Sequence, residues 1–96
     1  MFEIWQEADG TVKVSGRLDA AMAERAKEVF AGVTEDCKVD LSALDYISSA
    51  GIGILIATQK RLSENGQKIV LARPSQHIRE LFGIAGLDHV FEIVDS

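Results

Sequence analysis

Two adjacent serines, Ser48 and Ser49, head the stretch Asp45-Tyr46-Ile47-Ser48-Ser49-Ala50-Gly51-Ile52-Gly53, and they are the residues best placed to do chemistry. They fall where a connector gives way to a helical apolar pattern. A Ser oxygen there accepts a hydrogen bond from the N2 or N3 amide and caps the helix. One serine suffices for that. The second hydroxyl, with Ala50, Gly51 and Gly53 clearing space around it, suggests a docking surface or a modification site. A phosphate at this place meets free N–H groups and the positive end of the helix dipole. It adds about −1.5 to −2 charge at neutral pH, enough to repel a partner.

Other chemistry is poorly supplied. His77 and His89 are not spaced i, i+4 with another His and do not neighbour Cys37, so no metal site is expected. Both read as ordinary, partly exposed side chains. Gly51-Ile52-Gly53 lacks the third glycine and the Lys of a phosphate cradle and does not follow directly on a strand, which leaves a nucleotide-binding or hydrolysing domain with little support. The acids form no pair for general acid/base work. Catalytic residues: none; cofactors: none.

Composition narrows the class further. The 96 residues are 47% hydrophobic and 26% charged, as in an ordinary globular domain, and they fit a single domain over residues 1–96. Ten Lys and Arg against fifteen Asp and Glu give a net charge of −5, with no basic run for nucleic acid. MFEIWQEADG carries acids rather than a basic leader, and the apolar run Ala50 to Ala57 is far shorter than the ~20 residues of a membrane span. A soluble, cytoplasmic chain without membrane insertion is expected. The lone Cys37 reads as a small buried hydrophobe in a reducing compartment.

The elements that must position the serines follow from periodicity. Phe2, Ile4 and Trp5 open a strand ending near Glu7, Asp9-Gly10 predicts a type I′ turn, and Thr11 to Ser15 forms the second arm. Met22, Ala26, Val29, Phe30 and Val33 make one helical stripe, with Asp19 placed to cap it. Cys37, Val39 and Leu41 alternate as a strand, and Ser42 to Tyr46 reads as a connector. A second stripe runs through Ile52, Leu55, Ile56, Gln59 and Leu62, ending before Asn65-Gly66. Lys68 to Ala72 reads as a strand covered on both faces. A third helix follows Pro74-Ser75 with Ile78, Leu81 and Phe82, and Val90 to Val94 closes the sheet. The order β-β-α-β-α-β-α-β predicts an α/β fold: a mixed sheet of about five strands, an N-terminal hairpin, and about three helices packed on it.

Taken in order, these pieces resemble the STAS domain family, and in particular the anti-sigma factor antagonists, over nearly the whole chain. Gly16-Arg17-Leu18-Asp19 is similar to the family's entry into the first helix. Val39-Asp40-Leu41-Ser42 with Leu44 to Gly53 resembles its strand and phosphorylation segment. Arg73-Pro74-Ser75, Arg79-Glu80-Leu81-Phe82 and Gly86-Leu87 resemble its third-helix region.

The resemblance implies a mechanism. The unphosphorylated form binds an anti-sigma factor that is also a serine kinase, a GHKL-type ATP-binding protein. Phosphorylation of one serine ends that binding, and a PP2C-type phosphatase restores it. The family's usual Asp-Ser-(Ser/Thr)-Gly falls on Ser48, Ser49, Ala50 and Gly51, so the implied phosphoacceptor is Ser49, with Ser48 the less favoured choice. Asp19 matches an acidic residue close to the acceptor. The implied partner surface is Asp19, Ser48, Ser49, Ala50, Gly51, Ile52 and Gly53. Ser48 departs from the usual Asp and removes a carboxylate beside the acceptor. The alternative is a constitutive STAS scaffold subunit bound to the ATPase of an ABC lipid-transport complex.

Overall fold

Apolar residues at alternate positions build the first layer. Strand β1 (Phe2–Gln6) pairs antiparallel with β2 (Val12–Leu18) in the computed structural model, which describes residues 1–96. Phe2, Ile4, Val12 and Val14 point to one side and are buried. The turn between the strands is not type I′. The Gly10 N–H donates to the Glu7 carbonyl (3.0 Å) and the Glu7 N–H to the Thr11 carbonyl (2.7 Å). Only Gly10 is left-handed, at φ 93°. Asp9 instead accepts the Thr11 N–H on its carboxylate (2.9 Å), so a side-chain turn replaces the second left-handed residue.

Helix α1 (Ala23–Ala31) is preceded by a 3-10 turn at Ala20–Met22, whose Met22 N–H is accepted by Asp19 Oδ1 at 3.1 Å. Strand β3 then runs unbroken from Cys37 to Ile47, through the residues expected to be a connector. Two register shifts against β2 break its alternation, one between Lys13 and Ser15 and one between Gly16 and Arg17. They leave Ser42 and Ala43 exposed yet bury Leu44 and Ile47, and bulges of this kind hide a strand from a period-two reading.

Helix α2 (Ser49–Ser63) buries Gly51, Leu55, Thr58 and Leu62. Its inner stripe is thus rotated from the one expected. Ile56 is 37% exposed, and Gln59 accepts the Ile69 N–H at 2.9 Å. The helix ends with Gly66 at φ 73°, the Gln67 N–H reaching the Leu62 carbonyl (2.9 Å) in a Schellman closure. Strand β4 (Ile69–Ala72), helix α3 (Gln76–Ile84) and strand β5 (Glu92–Val94) complete the chain, with Ser75 Oγ accepting the Ile78 N–H.

The sheet order is β1-β2-β3-β4-β5, with every pair after the hairpin parallel. Each crossover adds a strand on the same side of the last, and right-handed connections therefore lay all three helices on one face. Val39, Leu41, Ile69 and Leu71 meet Phe30, Leu55, Leu62, Ile78 and Phe82 there in one core. No helix of the structure is long and apolar enough to cross a membrane.

Candidate functional site

Strand β3 turns into α2 through a single residue. Ser48 is extended (φ −85°, ψ 169°) and held at three atoms. Its N–H donates to the Leu18 carbonyl (2.9 Å), its carbonyl accepts the Ile52 N–H (2.9 Å), and its Oγ accepts the Gly51 N–H (3.2 Å). The strand-to-helix junction is therefore far tighter than the connector expected from the sequence. Ser48 is the cap and is half-buried.

Ser49, the first helical residue, is exposed, and its hydroxyl makes no hydrogen bond within the chain. The two serines have divided the roles that the sequence left open: one closes the helix, and one faces solvent at its positive end.

The glycines divide in the same way. Gly51 is buried, and a Cβ there would lie 2.8 Å from Leu18 Cγ and 2.9 Å from Ile47 Cγ1. It lets the first turn of α2 sit against the ends of β2 and β3, so it faces the core and clears no space beside Ser49. Gly53 is exposed, and a Cβ on it would meet nothing within 4 Å. Ala50 is also exposed, and Ile52 is half-buried against the core.

Ala50, Gly53 and Ala57 form one wall of a groove of about 490 Å³ between α2 and α1, facing Ala23, Lys27 and Ala31. Its floor includes the buried Phe30. Asp19, half-buried, follows Leu18 directly and spends one carboxylate oxygen on the Met22 amide, beside this surface. Nearby the Arg17 guanidinium stacks 4.4 Å from the centre of the Tyr46 ring.

One polar cluster escaped sequence reasoning. Asp40, in the middle of β3, is 5% exposed. Its carboxylate accepts the Ser42 N–H (3.0 Å), pairs with the Arg73 guanidinium, and lies 3.9 Å from Lys13 Nζ. Burial pushes its pKa up, but the Ser42 N–H, the Ser42 side chain and Arg73 together outweigh burial and hold it below the ordinary carboxylate value. Arg73 is left-handed (φ 55°), unusual for a residue with a side chain, and its N–H donates to the Val94 carbonyl (2.7 Å). In the sequence Asp40 alternates with Val39 and Leu41 just as the exposed Lys38 does, so nothing marked it as buried.

The remaining candidates stand apart. His77 and His89 are exposed and distant from the serines in sequence. Cys37 is buried, its Sγ donating to the Gly10 carbonyl (3.3 Å), and burial raises its thiol pKa. No three His, Cys, Asp or Glu side chains converge as a metal site would need.

Comparison with known proteins agrees with the fold. The family model described as "Mlab, STAS domain" matches residues 1–95. The anti-sigma-B factor antagonist of Staphylococcus epidermidis is 31% identical over 86 residues, spanning 85% of this chain and 80% of that protein. An anti-sigma factor antagonist from Mycobacterium paratuberculosis shares the fold with a TM-score of 0.84 at 23% identity, over all of this chain and 86% of the other. The Bacillus cell fate determinant SpoIIAA in its phosphorylated form does so with a TM-score of 0.71 at 19% identity, over all of this chain and 93% of the other. A helix-covered sheet of this order, carrying a serine at the head of its second helix and matched along its length, makes the chain a member of the STAS domain family.

Proposed function

We propose that this chain is an anti-sigma factor antagonist that binds an anti-sigma factor through the surface around the start of α2 and is switched off by phosphorylation of Ser49. The observation that carries the reading is the division of labour between the serines. Ser48 is spent on the cap, whereas Ser49 is exposed, unbonded and at a helix N-terminus, where a kinase can reach it. The implied partner is an anti-sigma factor that is also a GHKL-type serine kinase, with a PP2C-type phosphatase reversing the modification in the cytoplasm. The chain itself acts by binding and not as an enzyme.

The switch follows from charge and solvation. The first turn of α2 contains no acidic residue, and Ala50 and Gly53 keep the surface beside Ser49 shallow. A phosphate adds about −1.5 to −2 charge to this apolar margin, and a docked partner would have to desolvate it. Its effect is therefore direct obstruction.

A second reading is the constitutive STAS scaffold bound to the ATPase of an ABC lipid-transport complex. The observation favouring it is Ser48, a neutral cap where the resemblance to antagonists implies an Asp.

Incubation with the cognate serine kinase and ATP, followed by mass spectrometry, should place phosphate on Ser49. Equal labelling of a Ser49→Ala variant would refute the site. Ser49→Asp should weaken partner binding while Ser49→Ala retains it, and equal affinities of the two would favour the scaffold.

A further inference from the structure

The sheet has two edges, and they are built differently. At one, β5 is three residues long and its Glu92 is tied to Lys68. A short, charged edge strand resists pairing with another chain. At the other, β1 (Phe-Glu-Ile-Trp-Gln) is five residues long, carries no Pro, Gly or Lys, and pairs with β2 in an unbroken register. Only β2 lies beside it in the sheet. An edge of this kind is a template for one more strand.

Alternation decides which backbone groups of β1 are free. The Glu7 N–H donates to the Thr11 carbonyl, so Glu7, and with it Trp5 and Glu3 at the same parity, turn their backbone groups toward β2. Phe2, Ile4 and Gln6 therefore turn theirs outward, each with one N–H and one carbonyl. The side chains leave this edge open. Phe2 and Ile4 are buried in the core, whereas Glu3 and Trp5 (42% exposed) stand on the other face of the strand.

We infer that β1 is a dimerisation edge, and that its occupant is β1 of a second copy, antiparallel about a two-fold axis at Ile4. Unpaired strand backbone is satisfied by another extended strand and not by a helix, whose own groups are already bonded. The sequence of β1 selects the second copy. With Ile4 opposite Ile4, Phe2 of each copy meets Gln6 of the other, and these three pairs close two hydrogen bonds each. Between them Glu3 of one copy faces Trp5 of the other, at the non-hydrogen-bonded positions where side chains come closest. Sliding the strands by two residues one way sets Glu3 against Glu3, and the other way Glu3 against Glu7. Like charges directly opposite are destabilising, so the register that remains is the one using the whole strand. The contact is isologous and closes at two copies. It is small, and each copy carries a net charge of −5, so the dimer is weak and concentration-dependent. Ser49 follows β3, two strands from this edge, and stays exposed in both copies.

Sedimentation equilibrium of the full chain, from about 10 μM to about 1 mM, should fit a monomer–dimer equilibrium. Amide exchange should slow with concentration at Phe2, Ile4 and Gln6. Trp5→Glu sets an acid against Glu3 at both ends of the seam and should weaken the dimer about tenfold. Adding Glu3→Lys to it creates an opposite-charge pair and should return the constant to within about threefold of wild type, which a mere loss of apolar surface would not allow. Gln6→Pro deletes an outward N–H at an exposed position and should also weaken the dimer, while Ser49→Asp should leave it unchanged. Glu3, Trp5 and Gln6 are all exposed, so these variants keep the core. A chain monomeric over the whole range overturns the proposal. So does a dimer indifferent to Trp5→Glu, a double variant no tighter than Trp5→Glu alone, or concentration-dependent protection located in α1, α2 or β5 instead of β1.

Discussion

Two polar regions of this small molecule use their groups in opposite ways. Around Asp40 the polar groups are engaged: the carboxylate holds Arg73, Lys13 and the Ser42 amide, and Arg73 in turn holds the chain entering α3. At the start of α2 the engagement stops halfway. Ser48 and Gly51 are fully used by the fold, whereas Ser49 and Gly53 serve no internal contact. A mid-helix glycine costs about 0.5–1 kcal/mol relative to alanine, and Gly53 has no packing or φ requirement to offset it. Packing accounts for the first region, and the proposed partner surface would account for the second.

Substitutions can break or sharpen that contrast. The largest effect is expected for Asp40→Ala, which unpairs the Ser42 amide and two cations. With Arg73 half-exposed and its share discounted for solvent, the loss is about 2–3 kcal/mol. Calorimetry should show Tm falling by at least about 8 °C. The same carboxyl sets an acid dependence. Its folded pKa is depressed, so its contribution is complete above the unfolded value of about 3.9 and is lost as pH falls through the folded one. Asp40→Asn should flatten that acid limb in pH-dependent denaturant melts.

Next comes Gly51→Ala, whose Cβ overlaps Leu18 and Ile47 and should cost about 1–3 kcal/mol in urea unfolding. Ser48→Ala removes the cap for about 1 kcal/mol. Gly53→Ala should act with the opposite sign, raising stability by about 0.4–1 kcal/mol while weakening the anti-sigma partner in calorimetric titration. A stability loss at Gly53 would erase the distinction between the two glycines. Ser49→Ala is smallest, within about 0.5 kcal/mol of wild type.

Much of this was legible in the residue pattern. The element order, the Asn65-Gly66 closure and the serine pair at a helix start all rest on local signals read correctly. Asp19, by contrast, caps the 3-10 turn ahead of α1 and not α1 itself, whose N-cap Met22 makes no side-chain bond. What stayed hidden depends on distant partners. The length of β3 is concealed by bulges defined only against β2. The different duties of Gly51 and Gly53 depend on Leu18, far away in sequence. The inner stripe of α2 was misplaced because Ile56 is apolar yet outward, and Thr58 is buried by returning its hydroxyl to the Ile54 carbonyl (2.8 Å). Arg73 adopts its left-handed turn beside Asp40, and no property of Arg announces that.

The single-residue junction at Ser48 has a kinetic consequence. With its N–H, carbonyl and hydroxyl all bonded, there is no slack between β3 and α2 to act as a hinge. For the proposed partner surface this favours a preformed shape over one selected from a minor conformer. Encounter with a rigid surface would proceed at the rate set by diffusion and orientation, and the proposed modification of Ser49 would register mainly as a shortened residence time. With Ser49 as the proposed phosphoacceptor, a switch built on this junction would respond as fast as a kinase and a phosphatase could work.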